Sequence, residues 1–157
     1  MLIQDQQEFS ERIRSVMDLP VCSIDTEFVW RKTYAPRIGL IQVAAPGGIT
    51  FAIDPLAVTD PTPLVELLAN QGCLKVFHAC SQDLEVLYQY CGQLPEPLFD
   101  TQLAGAMLDM GYQIGYADLV NRCLDINISK AQQFTDWCRR PLTVAQLEYA
   151  AKEVSLL

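Results

Sequence analysis

The sequence contains few basic side chains, and this shortage limits the partners that the protein can bind. Lysine and arginine total 11 against 19 aspartates and glutamates, which gives a formal net charge of −8. A chain this acidic has no broad basic surface on which phosphates would collect nonspecifically. Any contact with nucleic acid must therefore be local. Ordinary soluble proteins have a similar balance, so the charge alone does not indicate metal binding.

The chain also lacks the long apolar runs and paired cysteines that mark other protein classes. No stretch approaches the roughly 18 apolar residues of a membrane span, and the first residues lack the basic start and apolar core of a signal peptide. The six cysteines form no C-x-x-C pair, which argues against a zinc ribbon. With 157 residues, 50% of them hydrophobic, we expect one domain over 1–157, without membrane contact and in the reducing cytoplasm.

Residues 21–28 form an apolar, β-branched stretch that carries two acids near its end. In a strand, residues two apart project from the same face, so Asp25 and Glu27 point together, whereas Thr26 and Phe28 point the opposite way. Two like charges on one face repel, and a divalent cation would convert this repulsion into coordination. Oxygen ligands favour Mg²⁺ or Mn²⁺ over Zn²⁺. The alternative is an edge strand with solvated acids, because D-x-E is a weak pattern.

The hydrophobic periodicity and the turn residues predict a definite order of strands and helices. Short links between the first three strands imply antiparallel pairing, and the later alternation of strand and helix indicates an α/β sheet with helices on both faces. The strand at 21–28 should be central. We predict strands over 21–28, 38–45, 49–53, 74–77 and 98–100, and helices that begin at a cap on Asp5, near 61–63, at the N-cap Ser81, at Gln102, beyond Gly115 and at a capping box of Thr143 and Gln146.

The terminal helix carries a second informative pair. Tyr149 and Glu153 are four residues apart and therefore stack on one face, while Leu147, Ala151 and Val154 form a different, core-facing stripe. A Tyr/Glu pair exposed on a helix is common, so the pair indicates little by itself.

Three segments together offer a set of carboxylates that has a known chemical use. Asp83 falls in the first turn of the helix after the fourth strand, where the helix dipole favours an acid. With Asp25, Glu27 and Glu153 it provides the four converging carboxylates that a two-metal phosphodiesterase site requires. Tyr149 could orient the attacking water in such a site.

Several stretches of the chain, in the right order, resemble the motifs of one nuclease family. The first is D-T-E-F at 25–28, with T-Y-x-P at 33–36 and L-I-Q at 40–42; the second is F-H-A-x-x-x-D-L-E at 77–85; the third is D-W-x-x-R-P-L at 136–142 with Q-L-x-Y-A-A at 146–151. Matches at 99–102 and at Lys130 add to these. The chain thus resembles the catalytic core of ribonuclease D, in the tyrosine-containing subgroup of the DEDD superfamily of 3′ to 5′ exonucleases.

The resemblance implies both a fold and a mechanism. The fold is ribonuclease H-like, with a five-stranded mixed sheet flanked by helices. Two Mg²⁺ or Mn²⁺ ions would be held by Asp25, Glu27 and Asp83, and Tyr149 would orient the water. The reaction would release 5′ mononucleotides from the 3′ ends of single-stranded RNA, including tRNA precursors or other structured RNA.

The sequence departs from the family in two ways. The fourth ligand of the family, four residues after the tyrosine, is aspartate, and here it is Glu153. The extra methylene displaces the carboxylate, and Mg²⁺ tolerates little departure from octahedral geometry. The chain also ends just past this helix, whereas ribonuclease D continues into helical nucleic-acid-binding domains, which we expect to be absent.

The residues that bind the substrate must then belong to the catalytic core. Aromatic side chains can stack on terminal bases, and the few basic residues near the motifs can meet phosphates. We expect His78 to have a structural or supporting role and also count it among the candidates. The candidate substrate-binding residues are Thr26, Phe28, Trp30, Arg31, Lys32, Tyr34, His78, Lys130 and Arg140.

The favoured hypothesis is a metal-dependent 3′ to 5′ exoribonuclease with Asp25, Glu27, Asp83, Tyr149 and Glu153 as catalytic residues. One alternative is a degenerate domain with weak or no activity that serves as an RNA-binding or protein-interaction module. Another is a 3′ to 5′ exodeoxyribonuclease, because selection through the 2′-hydroxyl depends on contacts that the sequence does not specify.

Overall fold

The structure is a computed structural model that describes residues 1–30, 35–128 and 135–157. Within these ranges, six strands form one sheet and six helices pack around it. The strands are β1 (Leu2–Ile3), β2 (Val21–Val29), β3 (Arg37–Ala45), β4 (Ile49–Ile53), β5 (Leu74–Phe77) and β6 (Leu98–Asp100), and the helices are α1 (Gln6–Met17), α2 (Thr62–Ala69), α3 (Ser81–Cys91), α4 (Thr101–Met107), α5 (Tyr116–Leu124) and α6 (Val144–Ser155).

The sheet is mixed, and its strand order places the acid-bearing strand in the interior. The order is β1-β4-β3-β2-β5-β6, so β2 lies between β3 and β5 as the sequence predicts. β2 pairs antiparallel with β3, and β3 pairs antiparallel with β4, which confirms the predicted hairpin. The pairs β1 with β4, β2 with β5 and β5 with β6 are parallel.

The prediction of five strands is wrong by one, because β1 was not foreseen. This strand has two residues, Leu2 and Ile3, which pair with Ala52 and Ile53 of β4. Two residues are too few to show the alternation of apolar and polar side chains by which a strand is identified in a sequence. Only the pairing with β4 defines it.

The two faces of β2 pack against different helices. Cys22 and Ile24 lie in a buried cluster that includes Phe9 of α1. On the opposite face, the Ser23 hydroxyl donates a hydrogen bond to the carbonyl of Val154 in α6, with the two oxygens 2.7 Å apart. Helices therefore cover both faces of the sheet, as predicted, and the face that carries Asp25 is the one on which α6 lies.

Helix α3 begins with a different cap from the predicted one. The N-cap is Cys80 rather than Ser81, and its side chain makes no capping hydrogen bond. Instead, the backbone N–H groups of Ala79 and Cys80 donate to the two carboxylate oxygens of Asp100 at 3.0 Å. Asp100 also caps α4 through the N–H of Gln102. One carboxylate at the end of β6 thus holds the turn that leads from β5 into α3.

Helix α6 has the predicted start but only part of the predicted core-facing stripe. The Thr143 side chain and Gln146 form the expected capping box, which confirms that part of the prediction. The buried positions are Gln146, Ala150 and Val154, whereas Leu147 and Ala151 are only half-buried. The predicted stripe is therefore right at Val154 and in part at Leu147, which packs against the core, but the other fully buried positions differ from those predicted. Gln146 is buried because its capping hydrogen bonds satisfy its amide, which hydrophobicity alone does not reveal.

Gly39 allows the segment before α6 to lie directly on β3. A Cβ at this position would stand 2.5 Å from the carbonyl oxygen of Trp137 and 2.7 Å from its carbonyl carbon, and both are backbone atoms that have little freedom to move. Trp137 itself is fully buried against Leu40. The absence of a side chain on Gly39 therefore sets how closely residues 137–142 approach the sheet.

We expect Gly39→Ala to destabilise the protein by about 1–3 kcal/mol, because the added methyl overlaps backbone that is already packed. Urea unfolding measures the change. Gly72→Ala is the matched control, since Gly72 is exposed and its Cβ would meet only the Asn70 side chain at 3.3 Å. Equal losses of stability in the two variants would contradict the close contact with Trp137.

Candidate active site

A cavity of about 510 Å³ opens beside the end of β2. Its lining comes from four separate parts of the chain, namely β2 with the residue after it, the segment that leads into α3 with its first turn, Thr135, and α6. Among the side chains that line it are Asp25, Thr26, Glu27, Phe28, Trp30, Asp83, Tyr149 and Glu153. All five of the residues expected to act in catalysis are thus placed around one space.

Each segment brings its acid to the cavity through a local structural feature. In β2, alternation directs Asp25 and Glu27 to one face, and the pairing with β3 shifts register between Glu27 and Phe28. In α3, Asp83 lies in the first turn. In α6, the 3.6-residue period stacks Glu153 one turn after Tyr149.

The carboxyl groups of β2 are held in surroundings that disfavour their charged forms. Burial, followed by the nearby Asp83 and Glu153 carboxylates, raises the pKa of Asp25 well above its usual range. Burial and the Asp25, Glu153 and Asp83 charges raise the pKa of Glu27 to about 10. Neither Asp25 nor Glu27 forms an ion pair with another residue that the structure describes. The four acids therefore crowd one another electrostatically.

Asp83 is held by a direct contact with β2. The Thr26 hydroxyl donates a hydrogen bond to the Asp83 carboxylate, with the two oxygens 2.5 Å apart. Burial raises the pKa of Asp83 to about 6, although the hydrogen bond from Thr26 opposes this rise. Thr26 was predicted to bind substrate. It does line the cavity, but its hydroxyl is directed at Asp83 and orients that carboxylate.

The phenol of Tyr149 is kept in its protonated form. Burial, the charges of Glu153 and Glu27, and a hydrogen bond to the Glu153 side chain raise its pKa well above the usual tyrosine value. Its ring also lies 6.2 Å from that of Trp137, centroid to centroid, and this contact fixes its position on the α6 side of the cavity. A neutral phenol in this place can donate a hydrogen bond at any physiological pH.

Two aromatic side chains stand at the rim of the cavity. Trp30 is 51% exposed, so one side of its indole is available to a ligand. Phe28 also lines the cavity but packs in part against the core cluster on the α1 side of the sheet. Of the two side chains, Trp30 is the more accessible for stacking on a base.

His78 was counted among the substrate contacts, and the structure places it elsewhere. It does not line the cavity. Its Nδ1 lies 2.9 Å from the Thr101 hydroxyl, and its ring packs edge-on against Tyr116 at 5.6 Å. Burial lowers its pKa, which favours the neutral ring. The structural role considered from the sequence is the one that fits.

Arg140 was also predicted to bind substrate, and its hydrogen bonds contradict that prediction. Its Nε and Nη2 meet the two carboxylate oxygens of Asp54 at 2.7 and 2.6 Å. Its other N–H groups donate to the carbonyls of Gly39, Trp137 and Arg139. Because a guanidinium has five N–H donors, none is left for a phosphate. Arg140 instead ties the segment before α6 to the sheet.

Four further candidates, Arg31, Lys32, Tyr34 and Lys130, lie outside the described residues. Thr135, in contrast, was not among the candidates and yet lines the cavity. It has no motif signal of its own. Its hydroxyl accepts a hydrogen bond from the Gln146 amide of α6 at 3.1 Å, a contact between residues 11 positions apart.

The donor set fits a hard divalent cation. Nothing in 1–30, 35–128 or 135–157 is already arranged as a group of three or more His, Cys, Asp or Glu ligands. The cavity nevertheless gathers four carboxylates, with raised pKa values at Asp25, Glu27 and Asp83. Carboxylate oxygens are the ligands that Mg²⁺ and Mn²⁺ prefer, and a cation would remove the repulsion among them. No histidine or cysteine is among the described residues that line this cavity, which disfavours zinc.

The fold and the carboxylate cavity together define a ribonuclease H-like nuclease domain, and comparisons with known proteins place it further. The model of a 3′–5′ exonuclease family matches residues 1–157. Ribonuclease D of Pseudomonas paraeruginosa is 44% identical over 155 residues, which cover 99% of this chain and 41% of the relative. The chain belongs to the 3′–5′ exonuclease family, and the predicted resemblance to ribonuclease D is confirmed.

Solved structures agree with this placement. RNase D of Escherichia coli, an exoribonuclease involved in structured RNA processing, superposes with a TM-score of 0.96 at 37% identity, covering 99% of this chain and 41% of that one. NrnC of Brucella melitensis with bound Mg²⁺ gives a TM-score of 0.77 at 29% identity, covering 88% of this chain and 68% of that one, and NrnC has also been solved bound to pGG. The predicted ribonuclease H-like fold is confirmed.

The chain spans about two fifths of the length of the ribonuclease D relatives that it matches. In the part of the chain that the structure describes, every helix is too short or too polar to cross a membrane.

Proposed function

We propose that the protein is a metal-dependent 3′ to 5′ exoribonuclease that shortens single-stranded RNA from its 3′ end and releases 5′ mononucleotides. The observation that carries this proposal is the meeting of four carboxylates from β2, α3 and α6 around one cavity, with Tyr149 beside them. Family membership supports the reaction class, and the ribonuclease D relatives support RNA as the substrate. The alternative of a degenerate binding module is not favoured by these relatives.

Asp25, Glu27, Asp83 and Glu153 would hold two Mg²⁺ or Mn²⁺ ions. The Mg²⁺ bound to NrnC supports the choice of cation. When bound, a pair of such ions lowers the pKa of a water and stabilises the charge on the departing 3′ oxygen. The four carboxylates would determine where the ions lie in the cavity. Thr26 orients the Asp83 carboxylate through its hydrogen bond.

Tyr149 would direct the attacking water by hydrogen bonding. Its raised pKa keeps the phenol protonated, and the O–H donates to the Glu153 carboxylate. This hydrogen bond fixes the phenol oxygen, whose lone pairs can accept a hydrogen bond from the water. Removing the hydroxyl alone would leave the carboxylates in place but would release the water from its orientation.

The substrate would enter past Trp30, on which the last bases can stack. A stacked base on an exposed aromatic contributes about 1–3 kcal/mol and is tolerant of sequence. This suits an enzyme that removes nucleotides one after another. Precursors of tRNA and other structured RNA with a single-stranded 3′ end are the expected natural substrates, and the cytoplasm is the expected compartment.

The test is the hydrolysis of a short, 5′-labelled single-stranded RNA by the purified chain with Mg²⁺ or Mn²⁺. A ladder that shortens from the 3′ end, together with 5′ mononucleotides, is the expected result. A circular RNA of the same sequence is the control and should stay intact. The DNA equivalent distinguishes an exodeoxyribonuclease. A folded sample that releases no nucleotide from RNA with either ion would reject the proposal.

Glu153 should make the enzyme more active with Mn²⁺ than with Mg²⁺. The longer side chain displaces one ligand, and Mn²⁺ is less strict than Mg²⁺ about octahedral geometry. We expect Glu153→Asp to raise the rate with Mg²⁺ by about tenfold or more and to narrow the difference between the ions. Glu148→Asp, the same change at an exposed position of the same helix, should alter neither rate. Equal wild-type rates with both ions would contradict this account of Glu153.

A further inference from the structure

Gln42 carries the most unusual polar group in the interior. The residue is 1% exposed, and neither its amide nitrogen nor its amide oxygen has a hydrogen-bond partner in the described ranges 1–30, 35–128 and 135–157. The great majority of buried side-chain polar groups are hydrogen-bonded, and an unpaired one is costly to keep. Leucine or methionine would fill the same space without that cost. A buried amide without a partner therefore calls for a functional reason.

The position of Gln42 in the sheet supplies that reason. In the antiparallel pairing of β2 with β3, Gln42 lies directly opposite Asp25. Residues opposite each other in such a pair project from the same face, with Cβ atoms about 4.5–5.5 Å apart. Gln42 therefore shares the α6 side of the sheet with Asp25. A glutamine side chain is long enough to bring its amide to a carboxylate at that separation.

The chemistry of the two side chains is complementary. An ionised carboxylate only accepts hydrogen bonds, and a carboxamide NH₂ group offers two donors. Asp25 accepts a hydrogen bond from the backbone N–H of Thr26, but within 1–30, 35–128 and 135–157 it forms no ion pair that would fix its carboxylate. Asp83 already receives the Thr26 hydroxyl, and the Glu153 side chain is tied to Tyr149. Gln42 would give Asp25 the corresponding donor.

We propose that Gln42 is a positioning residue for Asp25: its Nε2 donates a hydrogen bond to the ionised Asp25 carboxylate and orients it toward a bound divalent cation. The inference rests on the proposed function, in which Asp25 is a metal ligand. Outer partners that orient a ligand in this way commonly contribute 10- to 100-fold to metal affinity. The Gln42 amide has no partner among the residues that the structure describes, so its removal should not weaken the fold.

The test compares Mn²⁺ binding with stability in Gln42→Met, which keeps the length of the side chain and removes the amide. Isothermal titration calorimetry of the metal-free protein should show Mn²⁺ affinity reduced by about 10- to 100-fold. Urea unfolding of the same metal-free sample should show unchanged or increased stability. A purely structural role predicts the reverse, with stability reduced and Mn²⁺ affinity unchanged, and that result would overturn the inference.

Two further variants sharpen the comparison. Ser23→Ala removes a buried hydroxyl on β2, the strand that carries Asp25. This hydroxyl bonds only backbone carbonyls, so the change should reduce stability and leave Mn²⁺ affinity unchanged. Gln42→Asn keeps the amide but shortens the side chain by one methylene, and it should also weaken Mn²⁺ binding. If the methionine variant does not fold, the asparagine variant tests the inference in its place. Mn²⁺ affinity equal to wild type in either folded Gln42 variant would overturn the inference.

A double-mutant cycle identifies the residue through which Gln42 acts. In an Asp25→Asn background, Gln42→Met should cause no further loss of Mn²⁺ affinity, because the carboxylate that it orients is gone. A second, independent loss would contradict the proposal. If the wild-type protein itself binds no Mn²⁺, the proposed function fails, whereas wild-type binding that Gln42→Met leaves unchanged rejects only the role of Gln42.

Discussion

Replacing Asp25 by asparagine should reduce kcat/KM on single-stranded RNA by at least about 100-fold, because even indirect partners of a metal ligand contribute 10- to 100-fold. The substitution preserves the size of the side chain but removes the charge that a divalent cation needs. The measurement is the initial rate of mononucleotide release with saturating Mn²⁺. A wild-type rate in this variant would contradict the role of Asp25.

The same variant should lose activity without losing stability. Burial and the neighbouring Asp83 and Glu153 charges raise the pKa of Asp25, so its charged form is unfavourable in the metal-free fold. A neutral asparagine removes that repulsion, and urea unfolding without metal should give an equal or higher free energy. Asp118→Asn is the matched control, since Asp118 is exposed on α5 and does not line the cavity. It should alter neither activity nor stability.

Arg140→Ala should give the largest loss of stability, about 3 kcal/mol or more, because it leaves the buried Asp54 carboxylate without its cation. The Asp54 side chain is 2% exposed, and its contacts with the guanidinium are 2.6 and 2.7 Å long. The bonds from Arg140 to the carbonyls of Gly39 and Trp137 would also be lost. Urea unfolding at neutral pH measures the change.

The pH dependence of this loss has a definite sign. Burial tends to raise the pKa of Asp54, but the hydrogen bonds from Arg140 and Gln4 outweigh it and lower the pKa below its usual value. A carboxyl group with a lowered folded-state pKa stabilises the protein above its unfolded pKa and loses that contribution as the pH falls. The difference between wild type and Arg140→Ala should therefore shrink in acid.

The adjacent arginine provides the control. Arg139 is exposed, and Arg139→Ala should change stability by no more than about 0.5 kcal/mol. Arg140→Lys should recover only part of the loss, because an ammonium cannot reproduce the paired contacts of a guanidinium with a carboxylate. Equal losses in Arg139→Ala and Arg140→Ala would show that the ion pair with Asp54 contributes little.

Local patterns in the sequence predict much of the fold because the elements form from local rules. The alternation in 21–28 predicts a strand with Asp25 and Glu27 on one face, and β2 is that strand. The capping box at Thr143 predicts the start of α6. The predictions fail where a residue distant in the sequence determines the local structure. Asp100, twenty residues from Cys80, replaces the predicted cap of α3.

The candidate site divides in the same way. Spacing within β2 and α6 is enough to pair Asp25 with Glu27 and Tyr149 with Glu153. The prediction that Arg140 binds substrate failed for a different reason. Its partner Asp54 is 86 positions away, and no periodicity links the two residues. Gln42 was noticed only as part of a motif. Its relation to Asp25 depends on the register between β2 and β3, which a sequence without its fold does not specify.

The most direct test of the account is a crystal of the protein soaked in Mn²⁺ and measured at the manganese absorption edge. The account predicts two anomalous peaks in the cavity, between Asp25, Glu27, Asp83 and Glu153. A soaked crystal that shows no anomalous peak among these four carboxylates, although the protein binds Mn²⁺ in solution, would contradict the account.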